Sequence, residues 1–214
     1  TGDVYFVREN HLYLFILGKK FKLEKFNLEN NIQKENLECA IACALAMKIS
    51  TKKIVESLPR LKSAPGRFES INYSKKNSRI IIDYAHTPDA LENILKNFSS
   101  SKFKPSLVFG CGGERDKLKR RKMAIVAKKF ANKVYITDDN PRNENPKNIR
   151  KVLKKYCPNG VEIANRKKAI HEAISKLDIN DILIIAGKGH EKYQLIKNKK
   201  IDFNDYKIAK KIIS

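Results

Sequence analysis

Apolar and polar residues alternate through the first 28 positions, with Val4, Phe6, Leu12, Leu14, Ile16, Phe21 and Leu23 as the apolar set. A period of two predicts short antiparallel strands, turning at Glu9-Asn10 and at Gly18-Lys19. Residues 34 to 48 change period and read as a buried, alanine-rich helix. A second helix is predicted from Ser50 or Thr51, with Ser50 as its N-cap, ending before Pro59. The stretch Lys62-Ser63-Ala64-Pro65-Gly66 reads as a linker.

From Arg67 onward the rhythm is different. Apolar strands are predicted at Arg79 to Ala85, Ser106 to Cys111, Lys133 to Thr137, Val161 to Ala164 and Asp181 to Ala186. Between them, Leu91, Ile94, Leu95 and Phe98 share one helix face, as do Met123, Val126, Ala127 and Phe130, and Ile170, Ala173, Ile174 and Leu177. Strands alternating with amphipathic helices imply right-handed crossovers and a mostly parallel sheet, an α/β fold of Rossmann-like type. A hairpin follows, Tyr193 to Ile196 and Lys200 to Phe203 with its turn near Asn198, and a final helix from about Tyr206 to Ile213. A domain boundary is expected near Pro65-Gly66, giving parts 1–65 and 66–214.

Composition narrows the class. With 42% hydrophobic residues in 214, the chain has enough apolar side chains to pack a core. No apolar run approaches the roughly 20 residues that span a bilayer. The start, Thr1-Gly2-Asp3, has neither initiator Met nor signal-peptide pattern. The formal net charge of +22 raises a nucleic-acid-binding module as one reading. The lysines are scattered, however, as in Lys19-Lys20, Lys75-Lys76, Lys128-Lys129 and Lys199-Lys200, and fit a lysine-rich surface that attracts anionic substrates. Cys39 and Cys43, four apart in a helical pattern, read as small buried residues on one face. With no CxxC pair or His cluster, zinc is not expected, and a reducing, cytoplasmic setting is.

Candidate chemistry sits in polar segments that each follow a predicted strand. They are Asp83-Tyr84-Ala85-His86-Thr87-Pro88, Gly110-Cys111-Gly112-Gly113-Glu114-Arg115-Asp116, Asp138-Asp139-Asn140-Pro141-Arg142 and Gly187-Lys188-Gly189-His190-Glu191. In an open parallel sheet, ligands bind outside the carboxyl ends of the strands, so these clusters are expected to converge on one crevice. Gly112-Gly113 and Gly187/Gly189 allow close backbone approach. Arg115 and Arg142 offer planar forks for carboxylate or phosphate. Glu191 suits an ammonium group. The set fits a small zwitterion beside a nucleotide.

Gly66-Arg67-Phe68-Glu69, Asp83-Tyr84-Ala85-His86-Thr87-Pro88-Asp89-Ala90-Leu91, Gly110 to Lys117, Asp139-Asn140-Pro141-Arg142 and Gly187 to Gln194 resemble the Mur ligase family in order and spacing. The resemblance covers residues 66 to 214. It continues loosely upstream, where Gln33 and Asn36 resemble the polar pair opening a helix late in the family's central ATPase domain. It implies that 1–65 is the tail of that domain and 66–214 the Rossmann-like C-terminal ligase domain. The implied activity is an ATP-dependent amide ligase, with Mg²⁺, adding diaminopimelate to UDP-N-acetylmuramoyl-L-alanyl-D-glutamate, without nucleic acid or membrane partners. An acyl phosphate on the D-glutamate side chain would be attacked by an amine of diaminopimelate.

The resemblance also implies roles. Arg67 and Asp83 match catalytic positions at the nucleotide site, with Asn36, Tyr84 and His86 at ATP; a capping or packing role ahead of Pro88 is the alternative for His86. Arg115, Asn140, Arg142, Gly187 and Glu191 match the diaminopimelate pocket. Arg142 would hold the distal carboxylate that lysine lacks; its alternative is capping the next helix or pairing with Glu144. Lys119 reads as a solvated helix residue, with a phosphate contact as its alternative. No GxxxxGK[ST] phosphate loop occurs in the sequence, so this chain alone is expected to be inactive, with metal ligands outside it. A lysine-adding ligase remains the nearest alternative.

Overall fold

The computed structural model describes residues 3–23, 31–61, 64–100 and 103–214, without the side chains of residues 31 and 32. The chain divides into two compact units, Thr1–Lys62 and Ser63–Ser214.

In the first unit, β1 (Val4–Arg8), β2 (Leu12–Ile16) and β3 (Lys19–Leu23) form an antiparallel meander. Val4 pairs with Ile16 and Leu12 with Leu23, so Phe6, Leu12, Leu14, Ile16 and Leu23 fall on one buried face. The second turn sits one residue earlier than expected, at Leu17-Gly18, both with positive φ. Helices α1 (Asn31–Ala46) and α2 (Thr51–Ser57) cover that face, the latter capped by Ser50 Oγ on the Lys53 amide. Phe6 N donates to Glu38 Oε1 at 2.9 Å.

Two expectations are corrected here. The alanine-rich helix is not buried throughout; Ile41 is its one core residue among those described. Cys39 and Cys43 are exposed. The helix packs through Leu37, Ile41, Ala44 and Leu45, and positions two removed from Ile41 lie about 200° round the axis, on the opposite side. The expected linker falls partly outside the described residues, since nothing is described for 62 and 63. So does the far end of the expected strand region, at 24 to 28.

The second unit holds a six-stranded sheet. In chain order it runs β4 (Glu69–Tyr73), β5 (Ser78–Asp83), α3 (Pro88–Phe98), β6 (Ser106–Phe109), α4 (Leu118–Phe130), β7 (Val134–Ile136), α5 (Pro146–Tyr156), β8 (Val161–Glu162), α6 (Arg166–Ser175) and β9 (Ile182–Ala186). The hairpin β10 (Tyr193–Ile196) and β11 (Lys199–Asp202) and helix α7 (Asp205–Ile213) complete it. Spatial order is β4-β5-β9-β6-β7-β8, with β4 antiparallel and the rest parallel. The edge strand β4 is missing from the sequence reading, because only Ile71 of its five residues is buried, with Tyr73 packing half-buried beside it.

The four inner strands carry apolar side chains on both faces, as a doubly covered parallel sheet requires. Ile81, Leu107, Phe109 and Ile184 pack under α3, α4 and α5 through Leu91, Leu95, Met123, Ala127 and Leu153. Ile80, Ile82, Val108, Leu183 and Ile185 meet α6 and α7 through Ile170, Ala173, Ile174 and Ala209. Chain direction across the sheet reverses around β9, which lies between β5 and β6. This is where a doubly wound fold opens a crevice at its carboxyl edge.

Candidate functional site

The segments leaving β5, β6, β7 and β9 meet at that edge, around a cleft of about 460 Å³. Tyr84, His86, Gly110, Gly112, Arg115, Lys119, Asp139, Asn140, Arg142, Gly187, Glu191 and Tyr193 are among its lining residues. A larger groove of about 990 Å³ lies elsewhere, between α6, α7 and the β10–β11 hairpin. It holds neither of the cationic forks Arg115 and Arg142, which line the smaller cleft.

The loop after β5 is fixed by Asp83. Its Oδ2 accepts from the Phe68 amide and its Oδ1 from the Ala85 amide, both at 2.8 Å. Burial raises its pKa above the usual carboxylate value, against the pull of those two amides and of Arg67. Asp83 thus braces the entry to the site from behind. The Arg67 guanidinium lies 4.7 Å over the Tyr84 ring, which in turn lies 4.5 Å from the His86 ring and 5.2 Å from the His190 ring. His86 does not cap α3; Thr87 does, its hydroxyl accepting from Ala90 N at 3.3 Å, with Pro88 at the first helical position. Lys119 is not simply solvated, since its Nζ donates to His86 O at 2.9 Å. Gly66 joins this corner by contact: with φ +66°, a Cβ there would sit 2.0 Å from His190 N.

The loops after β6 and β7 are locked together. Gly113 N donates to Asn140 O at 2.9 Å, and a Cβ on Gly113 would lie 2.0 Å from Pro141 O. Arg142 adopts φ +52° and donates from Nη1 to Gly113 O at 2.8 Å. Its alternative partner, Glu144, is occupied by Arg120 through bonds of 2.6 and 2.7 Å. Arg142 therefore faces the cleft without a carboxylate among the described residues. Arg115 is exposed at the cleft mouth. Cys111, beneath this loop, is buried against Met123 and its thiol is pushed up to about 12 by desolvation, which leaves it a packing residue rather than a nucleophile.

After β9, Gly187 N donates to Asp83 O at 3.1 Å and Lys188 turns inward. Lys188 is fully buried, and Asn140 nearly so. Lys188 Nζ donates to Glu191 Oε2 at 2.7 Å and to Asn140 Oδ1 at 2.9 Å; Asn140 Nδ2 donates to Glu191 Oε2 at 2.9 Å. Behind them Arg166 and Asp205, both fully buried, pair through bonds of 2.7 and 2.8 Å. Arg166 also donates to Ala186 O at 3.0 Å and lies 4.0 Å from Asp139.

Of the residues singled out from sequence, Tyr84, His86, Arg115, Asn140, Arg142, Gly187 and Glu191 line one cleft, with Arg67 and Asp83 at its β5 corner. Asn36 is an exposed position of α1 in the other unit. Lys188, Asp139, Gln194, Arg166 and Asp205 were not singled out. Lys188 stands within a quoted motif, but a lysine gives no sign in sequence that it faces inward.

The arrangement has close relatives. The family model "Mur ligase, glutamate ligase domain" matches residues 66–189. The UDP-N-acetylmuramoyl-L-alanyl-D-glutamate–2,6-diaminopimelate ligase of Anaplasma marginale is 40% identical over all of this chain and 46% of its own length. The ligase of the same name from Rickettsia bellii is 44% identical over 84% of this chain and 38% of its own. A solved structure of a ligase of that name superposes with a TM-score of 0.66 at 34% identity, covering 100% of this chain and 45% of that one. The chain thus spans less than half the length of these relatives. With the family model covering most of the second unit, and the strand-end loops of that unit forming its cleft, the chain belongs to the Mur ligase family.

Proposed function

We propose that this chain is the amino-acid-selecting part of an ATP-dependent amide ligase that joins diaminopimelate to UDP-N-acetylmuramoyl-L-alanyl-D-glutamate in the cytoplasm. The observation that carries this reading is the charge pattern of the cleft. Two guanidinium groups, Arg115 and Arg142, face the same small space as the Glu191 carboxylate. Among the charged side chains that line it, these two guanidinium forks and this carboxylate suit a ligand with two carboxylates and ammonium groups. A bidentate carboxylate–guanidinium pair adds charge-assisted hydrogen bonds that the side chain of lysine cannot supply. The relatives named for this reaction support it.

Arg115 and Arg142 would hold the carboxylates, while Glu191 and Asn140 fix the α-amino end. The opposite amine is thereby presented to the edge where Tyr84, His86 and Arg67 lie. That corner offers aromatic faces and a cation, which fit the adenosine and phosphates of a nucleotide. ATP, when bound, supplies the driving force for amide formation. Among the described residues no three His, Cys, Asp or Glu side chains are placed to hold a metal ion. Among those residues, too, no helix is long and apolar enough to cross a membrane.

Calorimetry or amide NMR on this chain tests the reading. Diaminopimelate is expected to perturb the loops at 110–116, 139–142 and 187–193, and lysine to bind at least tenfold more weakly. Arg142→Ala should abolish that preference while leaving the Tyr84 corner undisturbed. Equal binding of lysine and diaminopimelate by the parent chain would overturn the choice of substrate. A steeply salt-dependent complex with nonspecific DNA, without any response to diaminopimelate, would favour a nucleic-acid module instead.

A further inference from the structure

Lys188 presents an energetic problem that its surroundings solve in one particular way. A fully buried ammonium is costly unless paired and hydrogen-bonded. Its described hydrogen-bond acceptors are Glu191 Oε2 and Asn140 Oδ1, with the Tyr193 ring 5.9 Å away. The Asn140 amide closes the triangle onto the same carboxylate oxygen. Asn140 Oδ1 also accepts from Leu195 N at 3.0 Å, which fixes which way the amide faces. Glu191 Oε2 is therefore taken by two donors from the protein. Among the described residues no donor takes Oε1, which is left for a ligand.

The triangle also spans the sheet. Asn140 follows β7 and Glu191 follows β9, two strands that β6 separates. Each loop alone would leave its side chain several rotamers; joined at a buried ammonium, both are held before any ligand arrives. Glutamine or methionine at 188 would fill the space without the charge that gathers the two acceptors.

We infer that Lys188 is a positioning residue of the amino-acid cleft, acting through Asn140 and Glu191 to fix the carboxylate that receives the ligand's ammonium group. This rests on the reading of the cleft as an amino-acid site. The role predicts a selective defect, because Lys188 bears on the amine of the ligand and not on its carboxylates.

The test compares diaminopimelate with heptanedioate, its analogue lacking both amines, in binding to this chain and to its Lys188→Met, Lys188→Gln, Glu191→Gln and Lys188→Met/Glu191→Gln variants. The Lys188 variants are expected to lose about tenfold in affinity for diaminopimelate, with little change for heptanedioate. The double variant is expected to be no weaker than Glu191→Gln, since residues acting as one unit are non-additive. Equal losses for both ligands, or additive losses in the double variant, would show a merely structural lysine. If the parent chain binds neither ligand, the amino-acid reading fails, and Lys188 is judged without ligand. In that case the Asn140 side-chain amide protons should exchange faster in Lys188→Gln than in the parent, and unchanged protection would sink the inference.

Discussion

Arg120 and Glu144 illustrate what a single pair does for this site. Arg120 is buried and holds both oxygens of Glu144, while its Nη2 donates to Gly112 O at 3.2 Å. That hydrogen-bonded guanidinium lowers the Glu144 pKa from its ordinary 4.5, against a smaller opposing effect of burial. A carboxylate with a depressed folded-state pKa adds stability above its unfolded value and loses it as pH falls through the folded one. Glu144→Gln is therefore expected to cost about 1–3 kcal/mol at pH 7, several degrees in melting temperature. The gap should close as pH drops below 4.5, and thermal melts between pH 7 and pH 3 would show whether it does. At this scale the sequence was only partly readable. Arg142 carried its chemistry in its type and motif, but the competition for Glu144 is decided by a residue 24 positions away. Cys39 and Cys43 share a helix face as their spacing requires; which way that face points depends on packing that their own residues do not encode.

Among elements, the β10–β11 hairpin acts as a clasp on the loop after β7. Gln194 Nε2 donates to Asp139 O at 2.8 Å and to Asp138 O at 3.3 Å. Arg142 N donates to Leu195 O, and Lys197 N to Arg142 O. Those two backbone bonds hold a non-glycine residue at positive φ, a conformation that tertiary contacts must maintain. Gln194→Ala removes a buried side chain that satisfies two carbonyls. It is expected to lower stability by about 1–3 kcal/mol and to weaken diaminopimelate binding, with chemical-shift changes centred on 138–142. A variant that melts earlier yet keeps the parent affinity would separate the clasp from recognition. The hairpin itself was legible, from alternation on either side of Asn198. Its docking was not, because the bridge from Arg142 to Ile196 joins residues far apart in sequence. The edge strand β4 escaped for the converse reason: Ile71 and Tyr73 alone, flanked by polar residues, are too little period to detect.

For the molecule as a whole, the alternation of strands and helices was enough to fix an α/β sheet with a crevice at its carboxyl edge. Strand order was beyond reach, since β9 inserts between β5 and β6 only through a crossover from β8 at the far edge. Residues 66–214 are expected to unfold in one cooperative transition without residues 1–65, because the cores of the second unit are composed of its own residues. Denaturant melts followed by circular dichroism and tyrosine fluorescence should coincide; separated midpoints would argue otherwise.

Arg166 and Asp205 give that unit a directionality in time. The guanidinium at the start of α6 is enclosed by the sheet, but its two-oxygen partner belongs to α7, 39 positions later. A nascent chain that has left the ribosome only as far as Phe203 contains every strand of the sheet and an arginine with no such partner to bury against. Its sheet can collapse but cannot seal, since a buried charge without its partner is strongly destabilising. Translation past Asp205 is then the event that commits the domain, and a stop codon placed between β11 and α7 should yield a protein that proteases clear rather than a shortened native one.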